Sequence, residues 1–486
     1  MIEKRVTGSR TTAWWAAACF VLFALFNSCS GHRAAQQMGD VLGAGQWKPS
    51  VGIAVGALRA LGTDDGDINR YFAYANAVLG RPYQGYYVRP LEGWKVDART
   101  LVTGKDVNDP AETPPVVPAA PLVPYRDFLV EYPPGFFLFA VLPALAARDT
   151  DTYRVLFSSL MALLLALGAW ACARMARHLG LDEERLAKSA AITALLLGTI
   201  LVRRYDAVVS LSLCVGLWGC LARRPVATGV ALAVGIAAKA LPLLLCPLPI
   251  LYYATGRRWR EATIAVAAAL ACGLAIDLPF AQAAGAHLFD MIAYHGERPL
   301  QIESTAGALL VAARLFDPGF AASAHTFGSA NVVSRADGPL RAIAGVLPML
   351  ALAAIFIWTW LELRVAGDER TRDKLLLRAT CASLVALMAL GKVFSPQYLT
   401  WLVPLALLLS LEGGASRSLL LVSLGLTQLI YPLCYRIGLS ESLSPWFGLL
   451  VLARNALLVT WAARLLVAAP ASAAAATVAP AAAAIE

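Results

Sequence analysis

The chain is dominated by continuous apolar runs, each as long as a helix and separated by short polar turns; residues 152–173, 261–280, 340–362 and 446–468 are the clearest. A helix of about 20 apolar residues matches the roughly 30 Å hydrocarbon core of a bilayer. Barrel strands would alternate apolar and polar residues, and these runs do not. Lipid tolerates only spanning helices and closed barrels, so the pattern predicts an all-α polytopic integral membrane protein. Composition agrees: 58% of the residues are hydrophobic and 15% charged, against about 25% charged in a globular domain. An ordinary soluble enzyme, a disordered chain and a disulfide scaffold are excluded. The nine cysteines lie mostly inside apolar runs and form no C-x-x-C pair, which gives a metal or disulfide framework no support.

The formal net charge of +9 would suggest nucleic acid in a soluble protein. Here it fits basic residues holding orientation from cytoplasmic loops. The run after Lys4, Arg5 and Arg10 is read as an uncleaved first span, 13–30, in preference to a signal peptide, because no A-x-A site follows. A polar stretch then extends to the short apolar piece 135–147. As a helix that piece is only about 20 Å long, too short to cross, and is expected to be interfacial or re-entrant. Further spans are expected near 152–173, 187–202, 206–222, 226–238, 241–254, 261–280, 340–362, 375–391, 396–411, 417–436 and 446–468. That makes about twelve (11–13), with both termini inside. Arg174, Arg177, Arg223, Arg224, Arg257, Arg258, Arg370 and Arg372 then fall in inner loops. The pair 226–238 and 241–254 is the sensitive point, because Pro242, Pro247 and Pro249 interrupt it and a single kinked span would invert everything after it. The organisation is therefore 1–30, cytoplasmic N-terminus and first span; 31–151, a large external loop; 152–468, a helical bundle with an external loop at 281–339; and 469–486, an Ala/Pro tail of low complexity.

This topology collects the unusual polar residues on one outer face. They are Asp67, Asp127 and Glu131 in the first loop; Arg203, Arg204 and Asp206 at a turn; and Lys239 between two apolar halves. Asp277, His295, Glu297, Arg298 and Glu303 surround the 281–303 segment, and Lys392, Gln397 and Tyr398 complete the face. Ionisable groups at a membrane are costly and tend to be functional. Carboxylates beside cations suit a site where one carboxylate accepts a proton and the cations hold a phosphate. Each also has an ordinary explanation: Asp67 as a helix cap, Arg203, Arg204 and Lys392 as snorkelling ends. There is no G-x-x-x-x-G-K-[ST], H-E-x-x-H or G-x-S-x-G motif.

Several segments resemble glycosyltransferase family 87, the polyprenyl-phosphate-mannose-dependent mannosyltransferases of the GT-C superfamily. Asp67-Ile68-Asn69-Arg70-Tyr71 and Pro124-Tyr125-Arg126-Asp127-Phe128 through Tyr132-Pro133-Pro134 resemble the family's first external loop. Arg204-Tyr205-Asp206 is similar to its Arg-x-Asp turn, Gly235 through Pro242 to its Gly-x-x-x-Lys-x-x-Pro helix, and Ser395-Pro396-Gln397-Tyr398-Leu399-Thr400-Trp401 to its late Ser-x-Gln-Tyr-x-x-Trp motif. Tyr294 through Ser304 also resembles related members. The resemblance spans about residues 60–405. Residues 82–122 are a departure, an insert of about forty residues between two first-loop segments that lie close together in relatives.

The resemblance implies a GT-C fold in a bacterial cytoplasmic membrane with its active site on the periplasmic face. It implies transfer of a hexose, by default mannose, from a polyprenyl-phosphate donor to a glycolipid or polysaccharide hydroxyl, with inversion. Asp67 corresponds to the catalytic base. Arg203, Arg204, Asp206, Lys239, His295, Arg298, Lys392, Gln397 and Tyr398 would bind the donor phosphate and sugar. Tyr71, Asp127, Glu131 and Tyr132 would orient acceptor or sugar. No cofactor is expected and a divalent metal is not favoured. The alternative from another class is a polytopic lipid or solute transporter or flippase; a labelled sugar emerging in a new glycosidic product separates the two.

Overall fold

The computed structural model describes residues 67–91, 115–410, 414–435 and 437–467. The expected span at 13–30, the middle of the 82–122 insert and the tail at 469–486 lie outside the described residues.

Helix α1 (Ile68–Val78) is followed by β1 (Tyr83–Gln84) and β2 (Pro115–Val116), which pair antiparallel with Tyr83 opposite Val116. Helix α2 (Phe136–Ala146) packs on α1. Its 11 residues rise about 16 Å, half the thickness of a hydrocarbon core. The chain continues through α3 (Thr150–His178), α4 (Glu183–Leu197), α5 (Ala207–Leu221) and α6 (Pro225–Ala238). A 3-10 turn, Leu241–Leu245, leads into α7 (Pro247–Thr255), then α8 (Trp259–Ala284) and α9 (Asp290–Glu297). After β3 (Leu300–Gln301) come α10 (Thr305–Ala313), β4 (Ala321–Thr326) and β5 (Ser329–Ser334). Helices α11 (Asp337–Val365), α12 (Glu369–Leu390), α13 (Leu399–Ser410), α14 (Gly414–Gln428) and α15 (Pro445–Val467) close the bundle.

Side-chain caps start several of these helices. Asp149, Asp182, Ser304 and Asp368 accept hydrogen bonds from the first-turn N–H groups of α3, α4, α10 and α12; such groups have no partner inside the helix. Among the described residues five segments are long and apolar enough to cross a membrane: Thr150–His178, Trp259–Glu297, Asp337–Val365, Ser416–Cys434 and Pro445–Val467. The outer faces of α8 and α11 expose Leu270, Leu274, Ile343, Leu350 and Ile357. That surface suits lipid and not water. Helices α12 and α13 are buried along most of their length and form the centre.

The bundle has two chemically different ends. At one, His178 pairs with Asp373 at 2.8 Å, Tyr252 donates to the same carboxylate, Arg372 donates to Thr255 Oγ1 at 2.9 Å, and Arg223 lies 3.3 Å from Glu369. This gathers the basic turns that follow α3, α5, α7 and α11. The other end carries Asp67, Arg204, Asp206, Lys239 and Lys392. The interrupted stretch 226–254 is a helical hairpin and not one kinked helix, because Thr228 Oγ1 near the start of α6 lies 3.3 Å from Tyr253 Oη near the end of α7.

One expectation needs correction. The fold is mostly helical, not all-α, because part of the 281–339 segment forms a three-stranded sheet in the order β3–β5–β4, with Leu300 opposite Val332 and Thr326 opposite Ser329. The hairpin turn has left-handed backbone at both Phe327 and Gly328 (φ 53° and 63°), a conformation that costs a glycine nothing at the second position. Glu303, expected among the outer-face site groups, instead joins this segment to the last helix. Its carboxylate meets Arg454 at 2.7 Å and accepts from Tyr435 Oη at 2.9 Å, with both charged side chains at 1% exposure or less.

Gly235 sets the spacing of α5 and α6: a Cβ there would lie 2.0 Å from Ser212 Oγ and 2.7 Å from Ser212 Cβ. Gly235→Ala is therefore expected to destabilise the protein by about 1–3 kcal/mol through overpacking, read as a lower thermal midpoint in detergent. Adding Ser212→Gly should recover much of the loss. A midpoint unchanged by Gly235→Ala would disprove the close contact.

Candidate functional site

The site begins where the turn after α4 meets the start of α5. Asp206 is the residue before α5 and is 1% exposed. Lys239 ends α6, and the approach allowed by Gly235 brings its Nζ to 2.7 Å from Asp206 Oδ1. Trp401 Nε1 donates to the same oxygen at 2.6 Å. Three rings surround the ammonium, with centroids 5.0 Å (Tyr205), 5.0 Å (Tyr398) and 4.8 Å (Trp401) away. Cation–π attraction adds about 0.5–2 kcal/mol per favourable ring, which offsets part of the cost of taking the charge out of water. Asp206 Oδ2 is buried and accepts no hydrogen bond among the described residues.

The same turn reaches the first loop. Arg204 Nε lies 2.9 Å from Asp67 Oδ2, at the residue that starts α1. Tyr71 Oη, one helical turn further on, is 3.4 Å from that oxygen. Arg203 is fully buried beside Arg204. The Tyr71 ring packs against Tyr132 (5.9 Å), Phe136 (5.2 Å) and Tyr205 (5.6 Å), so an aromatic cluster seats α1 on the bundle. At Gly135, which follows the two prolines, a Cβ would meet the Ala237 carbonyl at 2.7 Å. A glycine is needed for the first loop to dock on α6 there.

Glu131 is buried beneath α1. Arg70 Nη1 donates to Oε1 at 2.7 Å and Tyr74 Oη to Oε2 at 2.6 Å. Burial pushes this carboxyl up, but Arg70 and the Tyr74 hydroxyl outweigh it and hold it below the usual carboxylate range. His295 Nε2 lies 2.8 Å from the Glu131 carbonyl oxygen. A carbonyl can only accept, so that nitrogen carries the proton.

Arg298 and Lys392 form a separate cationic group beside His295. Arg298 Nη2 donates to Ser329 Oγ at 3.0 Å, and Lys392 Nζ to the Gly296 carbonyl at 2.7 Å. Burial, with Arg298 and Arg341 nearby, pushes the Lys392 ammonium down to about 8. Gln397 is half-buried in the 3-10 turn Pro396–Tyr398, and Tyr398 stacks on Trp401 at 4.2 Å.

Asp127 is not brought into this arrangement. It accepts from the Val123 N–H at 2.7 Å and pairs with the exposed Arg126 at 2.8 Å, closing its own turn. Arg126, then the Val123 N–H, hold its carboxyl below the usual range. The groups absent from the sequence-derived site are Arg70, Tyr74, Tyr205, Trp401 and Tyr431, whose Oη lies 3.4 Å from Arg204 Nη2. Arg70 and Trp401 had a readable signal, lying three residues from Asp67 and Tyr398 and hence on the same helix faces. Tyr431 had none. Among the described residues no three His, Cys, Asp or Glu side chains converge as metal ligands would.

A bundle with apolar outer faces and with a carboxylate and cations gathered at one end fits the class of polytopic membrane proteins. Residues 128–396, more than half of the chain, match the family description glycosyltransferase family 87, and the chain belongs to that family. It is a membrane glycosyltransferase. The match takes in Glu131, the Arg203–Asp206 turn, Lys239, His295, Arg298 and Lys392. Asp67, Tyr71 and Asp127 precede it, and Gln397, Tyr398 and Trp401 follow it. No curated protein matches the chain at a significant level.

Lys239→Met removes the partner of a buried carboxylate and is expected to cost about 3–5 kcal/mol. Asp206→Asn combined with Lys239→Met removes both charges and should restore most of the thermal midpoint without restoring transfer. A double variant as unstable as the single one sinks the pairing.

Proposed function

We propose that the protein transfers a hexose, by family resemblance mannose, from a polyprenyl-phosphate donor to a hydroxyl of a glycolipid or polysaccharide. The reaction takes place at the outer face of a bacterial cytoplasmic membrane. The basic end of the bundle then faces the cytoplasm, in keeping with positive-inside orientation, and about twelve spans leave both termini there. The observation that carries this reading is the 2.9 Å ion pair between Asp67 and Arg204. It sets a proton acceptor against a group of cations, the combination that displacement of a phosphate requires.

Asp67 takes the proton of the acceptor hydroxyl. The hydroxyl oxygen attacks the anomeric carbon from the face opposite the leaving group, and the bond from that carbon to the phosphate oxygen breaks. Polyprenyl phosphate leaves with the electron pair, and the configuration inverts. Arg203, Arg204 and Lys239 stabilise the charge that develops on the phosphate. His295, Arg298 and Lys392 extend this positive field, and Asp206 Oδ2 accepts a donor-sugar hydroxyl. Gln397 and Tyr398 border the sugar. Tyr71, Glu131 and Tyr132 keep α1, and with it Asp67, in position. The donor carries its own activation, so no cofactor enters.

Asp67→Asn is expected to fold and to lose transfer by about 10²–10⁴-fold, the usual weight of general-base catalysis. The assay is product formation by purified protein from radiolabelled polyprenyl-phosphate mannose. Wild-type turnover in the variant removes Asp67 from the role of base.

Lys392 gives a pH dependence. Its ammonium is charged below about 8 and neutral above, so donor KM should be low at neutral pH and rise as pH passes through about 8. Lys392→Arg should keep KM low across this range, and Lys392→Gln should leave it high and flat. A wild-type KM that does not change between pH 7 and about 9 would exclude Lys392 from the phosphate site.

A further inference from the structure

A recess beside α1 is not used by the donor chemistry. It is lined by Arg70, Tyr86, Tyr87, Arg89, Tyr294 and Phe327, with Glu131 in its floor. Five separate segments meet here: α1, the residues after β1, the segment around Glu131, α9, and the tip of the β4–β5 hairpin. The tip is pressed onto the floor, since a Cβ on Gly328 would lie 2.5 Å from Arg70 Nη2. Rings form the walls, with Tyr86 and Tyr87 at 4.0 Å between centroids and Tyr294 and Phe327 at 4.9 Å. The floor is the Arg70–Glu131–Tyr74 network. Arg89 has no carboxylate partner among the described residues.

Aromatic walls over a few fixed polar groups are how a site holds a ligand with both apolar faces and a polar edge. A pyranose has this character, with C–H faces and a rim of hydroxyls. The enclosed volume is about 40 Å³, room for roughly three waters at about 10–15 Å³ each. It admits a hydroxyl or hydroxymethyl group, while the ring rests at the mouth against the tyrosines. Arg70 lies three residues after Asp67 and hence on the same face of α1, so a sugar held at Arg70 lies one helical turn from the proposed base.

We propose that this recess is the acceptor subsite and that it takes a pyranose ring, stacked on Tyr86 and Tyr87 with one polar group in contact with the Arg70–Glu131 floor. As an acceptor site, it rests on the reading of Asp67 as base. The test is equilibrium binding of radiolabelled octyl gluco-, galacto- and mannopyranosides to the full-length protein in lipid nanodiscs, without donor. At least one glycoside should bind. Tyr86→Ala with Tyr87→Ala should weaken it about tenfold, and Tyr86→Phe with Tyr87→Phe, which keeps the ring faces, should restore it. Binding of none of the three, or equal binding by the double alanine variant, overturns the subsite. Wild-type protein that binds a glycoside through these tyrosines yet turns over no polyprenyl-phosphate sugar supports the sugar recess and overturns the donor reading instead.

Discussion

The ion pair between Lys239 and Asp206 is the constraint on which the Asp67 end of the bundle depends. Two buried charges repay their desolvation only when they sit close together and further hydrogen bonds complete them. Here the separation is 2.7 Å, and Trp401 supplies the further donor. The pair ties three helices together: α5 through Asp206, α6 through Lys239 and α13 through Trp401. Gly235 makes the approach possible by letting α6 lie directly on Ser212 of α5. Because Arg204 is two residues from Asp206, fixing the carboxylate also fixes the guanidinium that meets Asp67. A short turn thus starts a helix, neutralises a lysine and holds the first loop in place.

Much of this architecture was legible in the sequence, because helices in lipid leave a pattern that survives without tertiary information. Apolar runs and the charges that end them placed the boundaries of α3, α8, α11 and α15 within a few residues. The α6–α7 stretch was harder to read, since its prolines fit a kink as well as a turn. The Thr228–Tyr253 contact that decides between them joins residues well apart in the chain. The β4–β5 hairpin was not legible, because its strands are built mostly of alanine, serine and threonine, with His325, Asn331 and a pair of valines and no sustained apolar alternation.

Within the site, residue types were more legible than partners. Lys239 stood out because an ammonium between two apolar halves requires an explanation. That its partner would be Asp206 was not readable, since the pairing depends on how closely two helices pack. Glu303 and Asp127 illustrate the limit. Both looked like site carboxylates by position. One is held by Arg454 in a wholly buried pair, and the other closes a local turn. Charged residues that look alike in the sequence thus end in different surroundings, and only the third dimension separates them.

The two-residue clasp between β1 and β2 has an evolutionary consequence. It makes the insert a cassette whose entrance and exit lie side by side, with Tyr83 opposite Val116. Closing a longer loop costs little extra, about 0.6 kcal/mol for each doubling of its length. Segments of other lengths or compositions fit through the same clasp without shifting α1, α2 or the carboxylate between them. The insert can thus change in length while the contact between Asp67 and Arg204 keeps its place.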